Sequence, residues 1–351
     1  MSAVAEAEMR QPRSAGDVAG YVVANAIWAP SVHNTQPWRF IAEGTSITIR
    51  ADARRQLAVA DPSGREMMLS CGAALLTAKL AIRSLGCTAE TRVLTPPDDP
   101  ALVARLRWQR QAAPTPTEER LFRQVMSRRT HRGGFEPIPL PAGLLDALRQ
   151  DAARYDTALR VAVTDQARAV LGTLTEMADR VEHLDSAYVR ELADWAPAPG
   201  SGRTDGVPVS AYPAHADHTS PYFPGRDFAR GHHWGLPYSS HIAAARYTGV
   251  VCVLTTTADT PAAWVNAGQA LQHVLLTAAA RGVAAALHSQ PVEVGWLREA
   301  IRGQLGDGSY PQLILRLGTA IQDEVSIRRP AASVLSLPAI QPGPRPAVSH
   351  Q

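Results

Sequence analysis

Residues 29–40 read Ala-Pro-Ser-Val-His-Asn-Thr-Gln-Pro-Trp-Arg-Phe and lie between an apolar helical run, Val18–Trp28, and a strand-like alternation, Ile41–Arg50. The prolines at 30 and 37 each lack a backbone donor and disfavour helix, so the segment is predicted to be a rigid loop. The loop also carries closely spaced side chains that can both donate and accept hydrogen bonds, followed by an indole. These are Ser31, His33, Asn34, Thr35 and Gln36, and then Trp38.

Two interpretations of this loop remain open. In the first, the polar side chains satisfy only the backbone of their own turn. In the second, they form a preset cradle for a flat ligand with polar edges. We favour the cradle because a turn that only holds itself together needs fewer such groups, and we expect Trp38 to cap it.

The pattern Ala-Pro-Ser-x-x-Asn-x-Gln-Pro-Trp resembles the flavin-ring loop of the nitroreductase superfamily of FMN proteins. The variant with His33, followed by Trp38-Arg39-Phe40, resembles the Acg-type branch, actinobacterial proteins that carry two nitroreductase modules in one chain. The resemblance extends over most of residues 15–335. It implies an α+β fold in which each module has a mainly antiparallel sheet flanked by helices, and in which the two modules form an intrachain pseudo-dimer. The FMN contacts implied in this loop are Pro30, Ser31, His33, Asn34 and Gln36.

Composition restricts the class of protein. The 351 residues are 45% hydrophobic and 19% charged, with a net charge of +3, which allows one large core or two moderate ones. A nucleic-acid-binding protein would show a clustered basic face with interleaved aromatic residues, and this sequence shows none. Cys71, Cys87 and Cys252 show neither metal-ligand nor disulfide spacing. No signal-peptide core and no apolar run of roughly 20 residues is evident, so we expect a cytoplasmic protein without a membrane partner.

Periodicity divides the chain into two modules. The predicted organisation is a flexible N-terminus at 1–14, module 1 at 15–110, a linker at 111–117, module 2 at 118–335 and a flexible C-terminus at 336–351. The predicted helices are Ala15–Trp28, Arg65–Leu85, Glu118–Met126, one beginning near Pro141–Gly143, and Trp264–Gly282; the predicted strands are Ile41–Arg50, Thr88–Leu94, Leu102–Trp108, Leu159–Val163 and Gln312–Leu317. Cys71–Gly86 and the end of the Trp264–Gly282 helix share Gly, Ala, Leu and a final Gly at comparable places, a weak internal repeat.

Module 2 is longer than module 1, and much of the excess lies in Ala196–Gly235. This segment lacks helix or strand periodicity but is rich in aromatic residues, which favours partial order, and we interpret it as a lid. Its histidines also raise a metal-site alternative, which we do not favour because tight ligand pairs are absent. The residues concerned are His215, His218, His232, His233 and His241, with Asp217 and Asp227.

Ser127–Phe135 concentrates guanidinium groups beside a hydroxyl and a glycine pair, a composition that can bind a phosphate through forked hydrogen bonds. Taken alone, such a pair of arginines is more often a solvated surface. The segment resembles the Arg-x-Ser/Thr-x-Arg/Lys stretch that holds the FMN phosphate in nitroreductases. The matching positions are Arg128, Thr130 and Arg132, with Arg129 between them. A basic pair near the C-terminus, Arg328 and Arg329, is a further phosphate candidate, the alternative being a basic tail.

Residues 285–291 follow the long helix of module 2, and the resemblance places them at the flavin N5 edge. The candidate contacts are Leu287, His288, Ser289 and Gln290. The common nitroreductase version carries Pro and Glu-Gly here, and the departure puts turnover driven by nicotinamide in doubt. A lone histidine after an apolar helix can also be structural.

Module 1 carries the ring loop and module 2 carries the phosphate segment, the N5 edge and the basic tail. The sequence therefore predicts one complete FMN site per chain, between the modules, in a protein that is monomeric as an intrachain pseudo-dimer. The predicted function is an FMN-dependent oxidoreductase passing hydride through N5, with NAD(P)H as a candidate donor and an unidentified electrophilic or aromatic small molecule as substrate. No catalytic side chain and no metal is assigned. The alternatives are a lid-covered FMN-binding or storage protein and a dehydrogenase acting on a natural-product intermediate.

Overall fold

The computed structural model describes residues 14–110, 112–212, 219–220, 222–228, 246–320 and 326–337. Within these ranges the chain forms two sheets, most of whose strand pairs are antiparallel, with helices packed against them. The expected mixed fold, with two mainly antiparallel sheets flanked by helices, is confirmed. The module boundaries stay predictions.

The first half of the chain begins with a helix capped by Ser14, whose hydroxyl accepts from the backbone N–H of Asp17. A long helix then separates two pairs of strands. The elements are α1 (Ala15–Ala26), β1 (Trp38–Glu43), β2 (Ser46–Ala51), α2 (Arg65–Ser84), β3 (Cys87–Val93) and β4 (Leu102–Arg110). Along the sheet the strands run β1-β2-β4-β3, and every neighbouring pair is antiparallel.

The predicted single strand Ile41–Arg50 is wrong, because the chain reverses at Gly44, where φ is +54°. Glu43 pairs with Ser46 across a two-residue turn, which makes β1 and β2 a hairpin. The buried positions change from even numbers in β1 to odd numbers in β2. That change of phase was the available signal for a turn, with a glycine at the position that needs a positive φ.

The second half contains more elements. They are α3 (Pro116–Arg123), β5 (Thr130–His131), β6 (Phe135–Glu136), α4 (Leu144–Ala153), β7 (Thr157–Val161), α5 (Asp165–Leu184), α6 (Ser186–Asp194), β8 (Thr219–Ser220), β9 (Arg246–Tyr247), β10 (Val250–Thr256), α7 (Pro261–Ala279), β11 (Ala284–His288), α8 (Gln290–Glu293), α9 (Gly295–Leu305), β12 (Tyr310–Ala320) and β13 (Leu335–Ser336). Helices α5 and α6 were not predicted. The signal for α5 was present, because Val170, Leu171, Leu174, Ala178 and Val181 recur at helical spacing and Thr164 caps the helix.

The two sheets share one strand order. The second sheet contains the antiparallel run β7-β10-β12-β11, which matches β1-β2-β4-β3 strand for strand in chain order. In each half, a helix precedes the first strand, and the long helix connects the second strand to the third. The chain end then returns to the first sheet, where β13 pairs in parallel with β1.

The long helices α2 and α7 cross where Gly72 meets Gly268, which occupy matching positions of the internal repeat. A Cβ atom on Gly72 would lie 2.0 Å from the carbonyl oxygen of Val265, and one on Gly268 would lie 1.9 Å from that of Leu69. The backbones therefore touch directly, and neither position has room for a side chain. This crossing joins the two halves of the core.

Helix α2 has the length and apolar composition to cross a membrane, but 83% of the residues in its most apolar window are buried inside the protein. The sequence analysis expected no apolar stretch long enough for a membrane span. By length and composition, α2 is such a stretch, so that expectation is wrong. The burial of α2 instead fits a core helix, because side chains such as Cys71, Leu75 and Ile82 are fully covered.

Candidate functional site

A cavity between the two halves holds about 860 Å³ of empty space, including part of its open mouth. Its walls come from the loop after α1, the start of α2, strands β5, β11 and β12, and residues 225–228. The predicted site residues that line it are Pro30, Ser31, His33, Thr130, Arg132, Leu287, His288 and Ser289. The structure thus brings the early loop and the mid-chain arginine segment to one cavity.

The loop after α1 holds an unusual backbone. His33, Asn34 and Gln36 have φ values of +45°, +54° and +50°. Each such residue other than glycine costs on the order of 1–3 kcal/mol and persists only where surrounding contacts hold it. One such contact is the hydroxyl of Ser31, which accepts from the backbone N–H of Gln36 at 2.9 Å. Strain concentrated in a cavity wall is typical of ligand sites.

The amides of this loop bind other parts of the protein. Asn34 donates to the carbonyls of Gly206 and Ile327 at 2.9 and 3.1 Å, and its Oδ1 accepts from Arg328 at 3.1 Å. Both amide hydrogens of Asn34 are therefore used within the protein. The loop is thereby tied to residue 206 and to the C-terminal segment.

Gln36 acts in the same way. It donates to the carbonyl of Thr204 at 2.9 Å and accepts from the backbone N–H of Arg329 at 2.8 Å. Gln36 and Arg329 line neither the cavity nor a narrower crevice that opens beside it. In this structure they position the loop and the C-terminal segment relative to each other.

A narrower crevice of about 300 Å³ opens beside the cavity. The two spaces share Pro30, Ser31, Thr130 and Arg132, and the crevice adds Arg328. The crevice lining therefore includes two hydroxyls and two guanidinium groups, which are groups that bind a phosphate. Asn34 lines the crevice as well.

Trp28 lies at the centre of the arginine cluster. Arg129 and Arg328 lie over its ring, with guanidinium carbons 5.1 and 5.5 Å from the centroid, and Arg128 and Arg328 donate to its carbonyl oxygen at 3.3 and 3.2 Å. Burial, with Arg129 and Arg132 nearby, lowers the pKa of Arg128 to about 9. Burial and the charge of Arg128 lower the pKa of Arg328 well below its ordinary value.

This cluster carries positive charge that the described part of the protein does not balance locally. Among those residues, no carboxylate pairs with Arg128, Arg129 or Arg328, and the neighbouring charges that act on Arg128 and Arg328 are all other arginines. Buried, mutually repelling guanidinium groups are stabilised by an anion placed between them. Of the three, Arg328 lines the crevice and could meet a phosphate there, whereas Arg128 and Arg129 line neither the crevice nor the cavity.

The opposite wall is the end of β11. Nε2 of His288 accepts from Nε of Arg316 at 2.8 Å, and this contact requires an unprotonated Nε2. Burial and then the charge of Arg316 lower the pKa of His288 well below its ordinary value. Leu287 and Ser289 flank it at the cavity surface. Gln290 is buried but lies outside this wall.

His33 is also neutral. Burial, followed by the charges of Arg226 and Arg132, lowers its pKa well below the ordinary value. Within the described part of the chain, its ring nitrogens have no hydrogen-bond partner, and its ring meets that of Phe228 edge-on at 5.4 Å. The histidine is buried in a cavity wall with polar atoms unused by the protein.

The segment predicted as a lid contributes to the cavity through Gly225, Arg226 and Phe228. Arg226 donates to Oγ of Ser289 at 3.1 Å and to Oε1 of Glu293 at 2.6 Å, and it also donates to the Tyr188 hydroxyl. This part of the segment is therefore anchored to the second half of the protein. The histidines proposed as metal ligands, and Asp217, lie outside the described residues.

Several cavity residues were missed by sequence reasoning. Glu66, Arg226 and Arg316 line the cavity, and Trp28 organises the arginine cluster. Glu66 lies in a helix and Arg316 in a strand, whose local patterns signal packing rather than binding. Arg226 lies in the segment predicted as a lid, where no single residue was singled out, and Trp28 lies in the turn after α1. Trp38, expected to cap the loop, is instead fully buried in the core of the first half.

Comparison with known sequences assigns the family. No family model matches the chain. "Putative NAD(P)H nitroreductase Rv3131" of Mycobacterium tuberculosis is 35% identical over 302 residues, covering 85% of this chain and 84% of that protein. This chain belongs to the nitroreductase family. "Putative NAD(P)H nitroreductase acg" of the same organism is 30% identical to this nitroreductase-family chain over 330 residues, covering 92% of this chain and 96% of that protein.

Solved nitroreductase structures also match this family member. One from Anabaena variabilis gives a TM-score of 0.41 at 11% identity and covers 86% of this chain and 73% of that chain. A nitroreductase with bound FMN from Desulfitobacterium hafniense gives a TM-score of 0.37 at 15% identity, covering 60% of this chain and 94% of that chain.

Proposed function

We infer that this nitroreductase-family protein binds one FMN per chain in the cavity and crevice between its two halves. The observation that carries the proposal is the meeting of residues 30–33 with residues 130–132 and 287–289 around one cavity. The crevice end, with Arg132 and Arg328, would hold the phosphate. The wall of residues 287–289 would face the ring.

The residues present fit this cofactor. A phosphate would supply the negative charge that the cluster of Arg128, Arg129 and Arg328 lacks among the described residues. The hydroxyls of Ser31 and Thr130 line the same crevice. The strained loop would provide a rigid surface for a flat ring system.

When bound, FMN would supply two-electron chemistry at N5, and the protein would supply position and electrostatics. Arg316 lines the cavity and would contribute positive charge that favours an anionic reduced ring, whereas the charge of Arg226 is largely balanced by Glu293. His33 and His288 remain neutral there because both are buried beside arginines. We propose that hydride passes between NAD(P)H, the cofactor and a small electrophilic or aromatic substrate.

Reconstitution tests the proposal directly. Purified protein is titrated with FMN while the quenching of flavin fluorescence is followed, and unbound flavin is then removed. We expect retained yellow protein with one FMN per chain. Colourless protein that gives no quenching with added FMN would overturn the proposal.

The second candidate is an FMN-binding or storage protein with little turnover. It is favoured by Gly225, Arg226 and Phe228, which occupy the cavity wall and would restrict access to the ring. NADPH or NADH is added anaerobically to the FMN-loaded protein, followed by dithionite. Bleaching by a nicotinamide supports the reductase, whereas bleaching by dithionite alone supports storage.

We also propose that the two halves are tandem modules forming an intrachain pseudo-dimer. The shared strand order supports this, as does the self-complementary crossing of Gly72 and Gly268, since a two-fold interface brings equivalent positions together. A cytoplasmic location completes the proposal. It is supported by Cys71, Cys87 and Cys252, which are all free and buried.

A further inference from the structure

Glu66 occupies a cavity wall and has an unused carboxyl oxygen. It lies in the first turn of α2, which is fixed by Asp61, whose Oδ2 accepts from the backbone N–H of Met67 at 2.8 Å. Oε1 of Glu66 accepts from Nη2 of Arg65 at 2.7 Å. Oε2 is buried and has no hydrogen-bond partner among the residues that the structure describes. The residue is 4% exposed and lines the same cavity as His288.

The surroundings of Glu66 favour its neutral form. Burial is the largest effect, and the carboxylates of Glu293 and Asp61 oppose a further negative charge. The guanidinium groups of Arg65 and Arg226 act in the other direction. Burial and the two carboxylates prevail, so the pKa of Glu66 is raised well above its ordinary value. A carboxylic acid kept neutral near pH 7 can donate a proton or a hydrogen bond.

We propose that Glu66 is a catalytic residue that donates a proton to the substrate as the substrate is reduced. The inference rests on the proposed function and adds a named acid to it. Glu66 would serve any acceptor of the proposed function that carries an oxygen atom able to take the proton.

The acceptor receives a hydride, and therefore two electrons, from the reduced cofactor at one end of its conjugated system. Negative charge collects on the oxygen at the other end. The O–H bond of Glu66 breaks, its proton joins that oxygen, and a carboxylate remains beside the Arg65 guanidinium. Water returns a proton to Glu66 after the reduced product leaves.

The test compares Glu66→Gln with Glu182→Gln. Glutamine at 66 keeps the size of the side chain and an oxygen for Arg65 but cannot release a proton. Glu182 is likewise buried but is not among the cavity residues, which makes it the matched control. FMN-loaded proteins are reduced with dithionite without oxygen and mixed with a benzoquinone in a stopped-flow spectrometer. We expect oxidation of the flavin to slow by roughly 100-fold in E66Q, the usual contribution of a general acid. E182Q should match the wild type, and only E66Q should lose the rate difference between H₂O and D₂O.

A second measurement does not depend on FMN. Infrared spectra of cofactor-free wild-type and E66Q protein are subtracted at pH 7. We expect a carbonyl band of a protonated carboxyl group that E66Q lacks, and absence of that band overturns the inference even if E66Q binds FMN poorly. Equal oxidation rates in E66Q and wild type overturn the role of Glu66 but leave the proposed function standing. Failure of the wild type to bind FMN overturns the proposed function, and this role with it.

Discussion

Trp28 shows how one residue can organise charges that repel one another. Its ring carries Arg129 and Arg328, and its carbonyl oxygen accepts from Arg128 and Arg328. Guanidinium groups can stack on an indole and still present N–H groups at their edges, which ammonium groups cannot do. The cluster is therefore held in place by the fold itself, which would meet part of the cost of ordering the phosphate site that we propose.

The cluster predicts the effect of removing one guanidinium group. Arg328→Met should weaken FMN binding by about 1.5–3 kcal/mol, the usual contribution of a hydrogen bond to a charged group. Inorganic phosphate should also raise the melting temperature of cofactor-free wild type more than that of the variant. Arg92→Met is the control, because Arg92 is 77% exposed and its guanidinium lies 3.8 Å from Glu90. Equal FMN affinity in the two variants would refute the assignment of Arg328.

Glu182 predicts a dependence of stability on pH. Burial and the neighbouring carboxylate of Glu293 raise its pKa from 4.5 to about 10. Between these values the native state keeps a proton that the unfolded state has lost, so the free energy of unfolding falls as pH rises, by at most about 1.4 kcal/mol per pH unit. Glu182→Gln removes this effect. The melting temperature of the variant minus that of wild type should therefore grow between pH 5 and pH 9, and a constant difference would contradict the assigned pKa.

Among the single residues of the site, those within contiguous motifs could be predicted from the sequence, and isolated ones could not. Ser31 and Arg132 lie in short runs whose composition signals binding, and both line the cavity. Glu66 begins an apolar helix, where a single carboxylate reads as an ordinary first-turn residue. Arg226 lies in an insertion without periodicity. Their roles depend on neighbours far away in the chain, which a local pattern cannot report.

Among the elements, the contact between α2 and α7 carries the most direct constraint. The two helices meet backbone to backbone at Gly72 and Gly268, so no side chain there can rotate away to make room. The repeat around these glycines was visible in the sequence, but its weak matches gave no reason to place the two copies face to face. Their helical lengths and their terminal glycines at 86 and 282, with φ of +72° and +71°, were predictable.

A methyl group added where α2 and α7 cross should lower the free energy of unfolding. Gly268→Ala places a Cβ atom 1.9 Å from the Leu69 carbonyl oxygen and 2.9 Å from Cα of Gly72, so the helices must separate. We expect a loss of about 1–3 kcal/mol in the free energy of unfolding. Gly20→Ala is the matched control, because nothing lies within 4 Å of a Cβ atom at that position in α1. It should stabilise by about 0.5–1 kcal/mol. Urea denaturation of both variants checks the opposite signs.

Strand patterns were less informative than helix patterns. The hairpin of β1 and β2 was read as one strand because alternation continues on both sides of Gly44. Helix α5 is a different kind of omission, because its helical signal was present in the sequence. Val170, Leu174 and Val181 recur at helical spacing after the capping residue Thr164. What the sequence did not carry is which neighbours bury the polar Glu182 on the same helix.

For the whole molecule, the proposed site depends on both halves of a single chain. The loop at 30–33 belongs to the first half and residues 130–132 and 287–289 to the second, while Arg328 comes from the segment that returns to β1. We therefore expect native mass spectrometry of the reconstituted protein to show one chain carrying one FMN. Two FMN molecules per chain, or FMN bound only by a dimer of chains, would contradict this arrangement.

The two sheets have the same strand order but are encoded by different parts of one gene. A mutation in one half therefore does not change the other. In an assembly of identical subunits every mutation appears twice, so an insertion that helps one site is imposed on its symmetric copy. Here α5, α6 and the residues that follow them interrupt the second half only, between β7 and β10. In the tandem arrangement that we propose, joining the halves releases the protein from that symmetry, and the segment present in one half only supplies Gly225, Arg226 and Phe228 to the cavity wall.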